Sequence, residues 1–416
     1  MLLEYLLEFM GIYMLVLFFL KYAEGRKQLA DPKPKRFPTV SIIVPAWNEE
    51  KTLAKTIDSL LEIKYPKGKL EIIVVNDGST DKTLEVARNY EYKYKRVIVL
   101  TKENGGKGSA MNLGIETATR ELIASMDADS FATPDSLKRM IAYFEDPVVA
   151  AVSPMMKVYK PKTRIQKLQR VEYMMMISMR KVLSFFDGVP VTPGPLSIYR
   201  ASVFKELGGF EEDNITEDQE MALRIQKAHY RLKCAVTSVV YTSAPPGFRT
   251  LLQQRVRWNR GWLYNVLFRK ENKYINLMKP KYGDFGVLFA LSFIGIFLSL
   301  TVITYGFSEI IWNWINHPPI YYLLGLIDSD ITHSNFALFY MFIKPLHLFL
   351  VLLLLFTTIW MFFVVKTISK ESDILKYYLG YVSIYLPMMS FFWIITILYE
   401  IKDLIFGRKY KWYGKE

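Results

Sequence analysis

Four long apolar runs constrain this chain before anything else, because each can cross a lipid bilayer and is costly to leave in water. Residues 2–20 are apolar apart from Glu4 and Glu8. Residues 285–305 give 21 positions without a charge, 346–365 give 20 with His347 at the edge, and 377–399 give 23. At ~1.5 Å per residue each reaches across a hydrocarbon core of ~30 Å. The first run lacks a basic start and a small-residue cleavage site. It therefore reads as an uncleaved anchor, residues 1–22, and not as a signal peptide.

Residues 21–284, between the first and second runs, are mostly polar and patterned. Overall 51% of the chain is hydrophobic and 22% charged, so one molecule occupies two environments. Lys21, Arg26 and Lys27 flank the polar stretch on one side, and Arg269, Lys270, Lys279 and Lys281 on the other. The positive-inside rule predicts a cytoplasmic domain in a multi-pass protein of the cell membrane. Residues 306–343 hold no Lys or Arg and carry Glu309, Asp328 and Asp330, so they are expected outside. Lys366, Lys370 and Lys376 mark an inside loop. One conflict stands: three crossings after the polar domain put the tail 402–416 outside, yet it carries Lys402, Arg408, Lys409, Lys411 and Lys415.

The expected division is thus an anchor (1–22), an α/β domain (23–245), interfacial helices (246–283), membrane segments (284–401) and a basic tail (402–416). One Cys excludes a disulfide framework and a Cys-based zinc site, and four scattered His make a His-cluster metal centre improbable. The net charge of +13 suits orientation in the membrane, anionic lipid and an anionic small substrate; no nucleic-acid partner is expected.

Within the polar domain, short β-branched runs at 40–44, 70–75, 96–100, 121–126 and 148–152 alternate with helical stretches at 49–61, 81–94, 107–117 and 134–144. Thr133 before Pro134 reads as a helix start. Such alternation implies an α/β domain with a Rossmann-like, mostly parallel sheet covered on both faces. Ligands bind such sheets at the C-terminal strand ends. The chemistry-bearing residues fall there: Pro45-Ala46-Trp47-Asn48-Glu49 after the first strand, Asn76-Asp77-Gly78-Ser79 after the second, and Asp127-Ala128-Asp129 after the fourth. Each alone is an ordinary turn or cap. Together they aim carboxylates into one crevice.

Two Asp residues one apart suit a hard divalent cation whose shell substrate phosphates complete. The Asp77 carboxylate can accept a nucleobase N–H. Gly105-Gly106-Lys107-Gly108-Ser109 opens a helix where backbone amides and a Lys favour an anion. Thr216-Glu217-Asp218-Gln219 has capping-box spacing and puts Asp218 in the first helical turn, where it can serve as a general base. In Gln254-Arg255-Val256-Arg257-Trp258, positions 254, 257 and 258 share a helix face, offering an amide, a guanidinium and an indole to a sugar diphosphate. Residues 158–186, rich in Met and basic residues, and 239–268 suit helices on the inner membrane surface.

In order, these motifs resemble a membrane-integrated glycosyltransferase of family 2, the group of hyaluronan, chitin and cellulose synthases of the processive type. Thr192-Pro193-Gly194-Pro195-Leu196 with Tyr199-Arg200 is similar to the Gly-Pro-Leu stretch of hyaluronan-type synthases. The resemblance covers about half the chain and implies a GT-A fold, a UDP-sugar donor and Mg²⁺ or Mn²⁺. It implies that Pro45, Ala46, Glu49, Asp77, Lys107 and Asp127 bind the donor and that Asp129 ligates the metal. Asp218 would deprotonate the acceptor hydroxyl, while Gly194, Glu217, Gln254, Arg257 and Trp258 would hold the acceptor and diphosphate. The expected reaction inverts the anomeric centre and extends a β-linked polysaccharide; the alternative is a single transfer to a lipid-linked acceptor. About four spans are few for a closed polysaccharide channel, so a homo-oligomer or a partner would be needed to form one.

Overall fold

The computed structural model describes residues 2–268, 274–282, 286–287, 289–290, 355–356, 358–363, 367 and 372–406. Most of the expected spans 285–305 and 346–365, the external loop 306–343 and the tail after 406 lie outside the described residues.

Eight strands form one sheet in the order β3-β2-β1-β4-β7-β6-β8-β5. They are β1 (Val40–Ala46), β2 (Leu70–Asp77), β3 (Val97–Lys102), β4 (Leu122–Ser125), β5 (Ser130–Ala132), β6 (Val149–Val158), β7 (Ser197–Arg200) and β8 (Arg231–Thr242). The β3-β2-β1-β4 half is wholly parallel. Beyond it β7 runs antiparallel to both β4 and β6, β6 and β8 are parallel, and β5 is antiparallel to β8. The sheet is therefore mixed: its parallel pairings are interrupted by β7 and edged by β5, which run the other way. The reason lies in the 192–196 loop. It returns over the C-terminal end of β4 and feeds β7 downward, so that Ser197 pairs with Ser125. That reversal puts the Gly-Pro-Leu stretch directly at the strand ends.

The central strands bury both faces, which is why they read as unbroken β-branched runs. Ile42, Val44, Ile72 and Val74 face one layer, where α2 (Leu53–Leu61) inserts Leu53, Ile57 and Leu60 at helical spacing. Ile43, Ile73 and Val75 face the other, against α4 (Gly106–Thr117) and α8 (Glu217–Lys227). Helices α3 (Thr83–Lys93), α5 (Ser136–Met140) and α7 (Ala201–Leu207) complete the α/β unit. A third apolar cluster packs on β6 and β8 through Met155, Cys234 and Val236. It joins α1 (Leu2–Gly25), α6 (Arg164–Leu183), α9 (Phe248–Leu263) and α10 (Leu386–Phe406), the last part of a helical run Ile374–Phe406. That run is the one helix, among the described residues, long and apolar enough to cross a membrane by length and composition.

Two helix starts differ from the sequence expectation. Thr133 does not cap α5, because its hydroxyl donates to Val239 O at 2.9 Å in the β5–β8 junction; the cap position is Asp135. Thr216 caps α8 by position only, because its hydroxyl donates to Asn214 Oδ1 and accepts from Asn265. The closed capping box is Thr163 with Gln166, which opens α6. The stretch 239–268, expected as surface helix, begins as the end of β8 and becomes helical only at Phe248.

Candidate active site

The end of β4, the start of α4 and the start of α8 converge on one charged cluster. Lys107 Nζ lies 2.7 Å from Asp127 Oδ1 and 3.3 Å from Glu217 Oε1. Burial alone would disfavour the ammonium, but Asp127, Glu217 and Asp218 outweigh it and raise the Lys107 pKa. The 192–196 loop roofs this pair. A Cβ on Gly194 would sit 2.3 Å from Asp127 Oδ1 and 2.5 Å from Lys107 Nζ, so only a glycine leaves them in place. Ser125 Oγ donates to Gly194 O at 2.8 Å, and Thr192 Oγ1 donates to Asp218 O at 3.0 Å, which fastens the loop to both β4 and α8.

Asp218 is half-buried in the first turn of α8, where the Gln219 amide donates to its Oδ1 at 2.8 Å. Burial and the neighbouring Glu217 push its carboxyl up to about 6, against the pull of Lys107 and Arg257. A carboxylate titrating near neutrality in a crevice is suited to take a proton from a hydroxyl. Arg257 Nη1 donates to Ile215 O at 3.3 Å, which brings α9 to the loop ahead of α8. The approach is close: a Cβ on Gly261 would meet Thr216 Oγ1 at 2.2 Å. Gln254 is on the same helix, and its Oε1 is buried without a hydrogen-bond partner among the described residues. A ligand hydroxyl is the kind of donor that acceptor lacks.

The remaining expected donor residues form a second group at the ends of β1 and β2. Pro45 and Ala46 close β1 opposite Val75 and Asn76. Asn48, at φ 54°, ties the loops together: its amide donates to Ser79 Oγ and its Oδ1 accepts from the Thr80 amide at 2.9 Å. The Glu49 amide donates to Thr83 Oγ1 and its carboxylate accepts from Thr52. Asp77 is 3% exposed. Its carboxylate accepts from the Gly105 amide at 3.0 Å, the Gly106 amide at 2.8 Å and Lys102 Nζ at 3.1 Å. Asp77 therefore anchors the start of α4, and through it Lys107, a task that sequence reasoning did not anticipate.

Asp129 stands in the turn between β4 and β5, where Ser130 Oγ donates to its Oδ1 at 3.2 Å. Among the described residues no group of three His, Cys, Asp or Glu side chains could hold a metal. A magnesium-type cation does not need one, since one or two carboxylates plus substrate phosphates suffice. With Asp127 drawn to Lys107, Asp129 fits as the protein's own ligand.

Trp258 stacks under the guanidinium of Arg255, 4.2 Å from the ring centre. Arg255 is in turn held by Glu172 of α6, Nη2 to Oε2 2.7 Å, and Tyr385 OH donates to the same Glu172 oxygen at 2.8 Å. Burial raises the Glu172 pKa, opposed by Arg255 and Tyr385. The sequence reading missed Glu172, although a lone acid among the apolar residues of α6 was the available signal.

Residues 41–208 match the protein-family model described as Glycosyl transferase family 2. The chain is 26% identical over 398 residues to the probable glycosyltransferase YdaM of Bacillus subtilis, covering 92% of this chain and 87% of that protein. It is 29% identical over 268 residues to the poly-beta-1,6-N-acetyl-D-glucosamine synthase of Staphylococcus epidermidis, covering 63% of this chain and 64% of that one. A solved mannosyltransferase of Pyrobaculum calidifontis, in complex with GDP-Man and Mn²⁺, superposes with a TM-score of 0.56 at 23% identity, over 83% of this chain and 96% of that one. That likeness establishes a shared fold.

Proposed function

We infer that this chain, a glycosyltransferase whose residues 41–208 form a family 2 domain of GT-A-like fold, transfers a sugar from a UDP-sugar to a growing polysaccharide at a membrane, with inversion. The observation that carries this reading is the Lys107–Asp127–Glu217–Asp218 cluster under Gly194, with Arg257 beside it. It combines a proton acceptor tuned near neutrality with cations beside the expected path of a diphosphate.

The chemistry divides as follows. An acceptor hydroxyl attacks the anomeric carbon, and its proton passes to the Asp218 carboxylate. The carbon–oxygen bond to the nucleoside diphosphate breaks as the glycosidic bond forms, and the bonding electrons leave with UDP. Lys107 and Arg257 face the charge that develops on that leaving group. Asp129 would hold Mg²⁺ or Mn²⁺, which supplies Lewis-acid neutralisation of the phosphates when bound. Gln254 and Trp258 offer a hydrogen bond and a stacking face to the acceptor. Pro45, Ala46 and Glu49 line the nucleotide end, with Asp77 fixing the loop beneath it. The catalytic domain lies on the cytoplasmic face of the membrane, consistent with the basic residues around it.

UDP release across a panel of UDP-sugars, with Mg²⁺ or Mn²⁺ present, tests the reading. UDP-N-acetylglucosamine heads the panel because the staphylococcal relatives are named for a polymer of that sugar. Activity with a GDP-sugar and with no UDP-sugar would overturn the donor class. Product length separates the two acceptors: a single-sugar lipid product would replace the polymer.

A further inference from the structure

Hydropathy assigns residues 377–399 to a crossing, and that crossing creates the conflict with the basic tail. The contacts of the helical run Ile374–Phe406 point elsewhere. Near its start, Lys167 Nζ of α6 lies over the Tyr377 ring at 5.6 Å, and a Cβ on Gly380 would meet Leu168 at 3.3 Å. Tyr385 then reaches Glu172 and Arg255. In the middle, Phe392 packs on Phe248 with ring centroids 5.4 Å apart, and Thr396 Oγ1 accepts from Asn259. Near its end, Arg260 donates to Glu400 at 2.6 Å and to Asp403 at 2.5 Å. Contacts with α6 and α9 thus recur from Tyr377 to Asp403, a length of roughly 40 Å at ~1.5 Å per residue.

Both partner helices belong to the catalytic side. Gln169 of α6 donates to Pro245 O and Lys181 to Cys234 O, while α9 delivers Arg257 and Gly261 to the loop before α8. A crossing needs about 20 apolar residues beyond the last such contact. Beyond Asp403 come Leu404, Ile405 and Phe406, and then 407–416 with Arg408, Lys409, Lys411 and Lys415.

The run is also two-faced. Tyr385, Phe392 and Thr396 are fully buried. Ile384, Phe391, Leu398 and Ile405, spaced by seven, are at least half exposed and form one apolar stripe on the other side. Leu355, Ile359 and Phe362 are likewise exposed, next to Trp360, which packs against Phe18 of α1. An apolar stripe followed in sequence by cationic residues matches a bilayer surface better than a protein partner.

We propose that Ile374–Phe406 does not span the membrane but lies along the membrane face of the catalytic domain, its stripe at the boundary of acyl chains and headgroups. The basic residues after it then sit on the catalytic side, and the charge conflict disappears. This rests on the membrane reading given above.

The sole cysteine, Cys234, is fully buried, so introduced thiols report alone. Lys402→Cys, Lys64→Cys in the catalytic domain and Ser334→Cys in the expected external loop are labelled with a membrane-impermeant maleimide, in vesicles of both orientations. UDP release checks that each variant is folded. Lys402→Cys is expected to label in the same orientation as Lys64→Cys, and Ser334→Cys in the other. A protease site appended after Glu416 gives the same answer where lipid shields position 402: cleavage from the catalytic side is expected. Labelling of Lys402→Cys together with Ser334→Cys, or cleavage from the side opposite Lys64, overturns the surface placement of the helix alone. Labelling of all three in both orientations, with protein released by alkaline carbonate, overturns the membrane reading and the surface placement with it.

Discussion

Replacing Asp218 by Asn separates the cost of the proposed catalytic base from its use. The folded chain holds this carboxyl at about 6, against an ordinary 3.8, chiefly through burial and secondarily through Glu217. A raised acid pKa means that ionisation opposes folding. The penalty is absent below 3.8, accrues between 3.8 and about 6, and is complete above that. The gap corresponds to about 3 kcal/mol. Asn keeps the oxygen that accepts from the Gln219 amide and carries no charge, so at pH 7.5 it recovers up to that amount. Lys107 keeps Asp127 and Glu217, so the cluster does not collapse. Thermal unfolding in detergent should show a midpoint several degrees higher, with UDP release lost by 10²-fold or more. The parent enzyme supplies a second readout. Its kcat/KM should fall about tenfold per pH unit below about 6, where a base of ordinary pKa would hold its activity to pH 5. An Asn variant no more stable than the parent, or turning over at near-parental rate, would refute the reasoning. So would a flat kcat/KM between pH 5 and 7.

Four further outcomes follow from the geometry. Gly194→Ala places a methyl within 2.3 Å of Asp127 and 2.5 Å of Lys107, and should raise the donor KM at least tenfold while leaving the unfolding midpoint within a few degrees. Glu172→Gln leaves Arg255 buried without its carboxylate, and should destabilise the chain by roughly 3–5 kcal/mol in a denaturant titration. Tyr385→Phe removes one hydrogen bond to that carboxylate and should lower kcat or shorten the product with a smaller stability loss, about 1 kcal/mol. Asp129→Ala should shift the Mg²⁺ or Mn²⁺ activation curve to at least tenfold higher metal, whereas Asp77→Asn, which loosens the Gly105–Gly106 anchor, should raise the donor KM without moving that curve.

The parallel half of the sheet was legible because its inner strands β1 and β2 are buried on both faces and therefore carry continuous β-branched sequence. In the other half only the start of β6, at 148–152, was legible. Ser197–Arg200 and Ser130–Ala132 are too short to show a period, and 231–242 alternates polar and apolar residues under two bulges against β6. The direction of β7 depends on where the 192–196 loop lands, which is a tertiary fact. In the site, residue type revealed the carboxylates, Lys107 and the 254–258 motif, since Asp, Gly and Arg at strand ends and helix starts announce themselves. What those residues are tied to could not be read. Asp77 looked like a ligand-facing acceptor, and the sequence did not show that its carboxylate also accepts from two amides and a lysine.

The same distinction explains the C-terminal helix. Hydropathy measures what a segment can dissolve in, so 377–399 passes as a span however it is placed. Four polar pairs point to a surface placement instead: Tyr385 with Glu172, Thr396 with Asn259, Arg260 with Glu400, and Arg260 with Asp403. Two of these fall at the edges of the uncharged run or beyond it, where a hydropathy window gives them little weight. In lipid, two acids within one helical turn of each other would be costly unless paired. Here both are paired with Arg260, on the helix that carries Gln254, Arg257 and Trp258. A helix fastened to α6 near its start and to α9 near its end would transmit its own placement to Trp258 and the proposed acceptor site. Loss of the Arg260 pairs, as in Glu400→Gln with Asp403→Asn, should therefore change acceptor KM and product length while leaving donor KM unaltered. Equal shifts in both KM values would mean that the helix supports the fold and not the acceptor site.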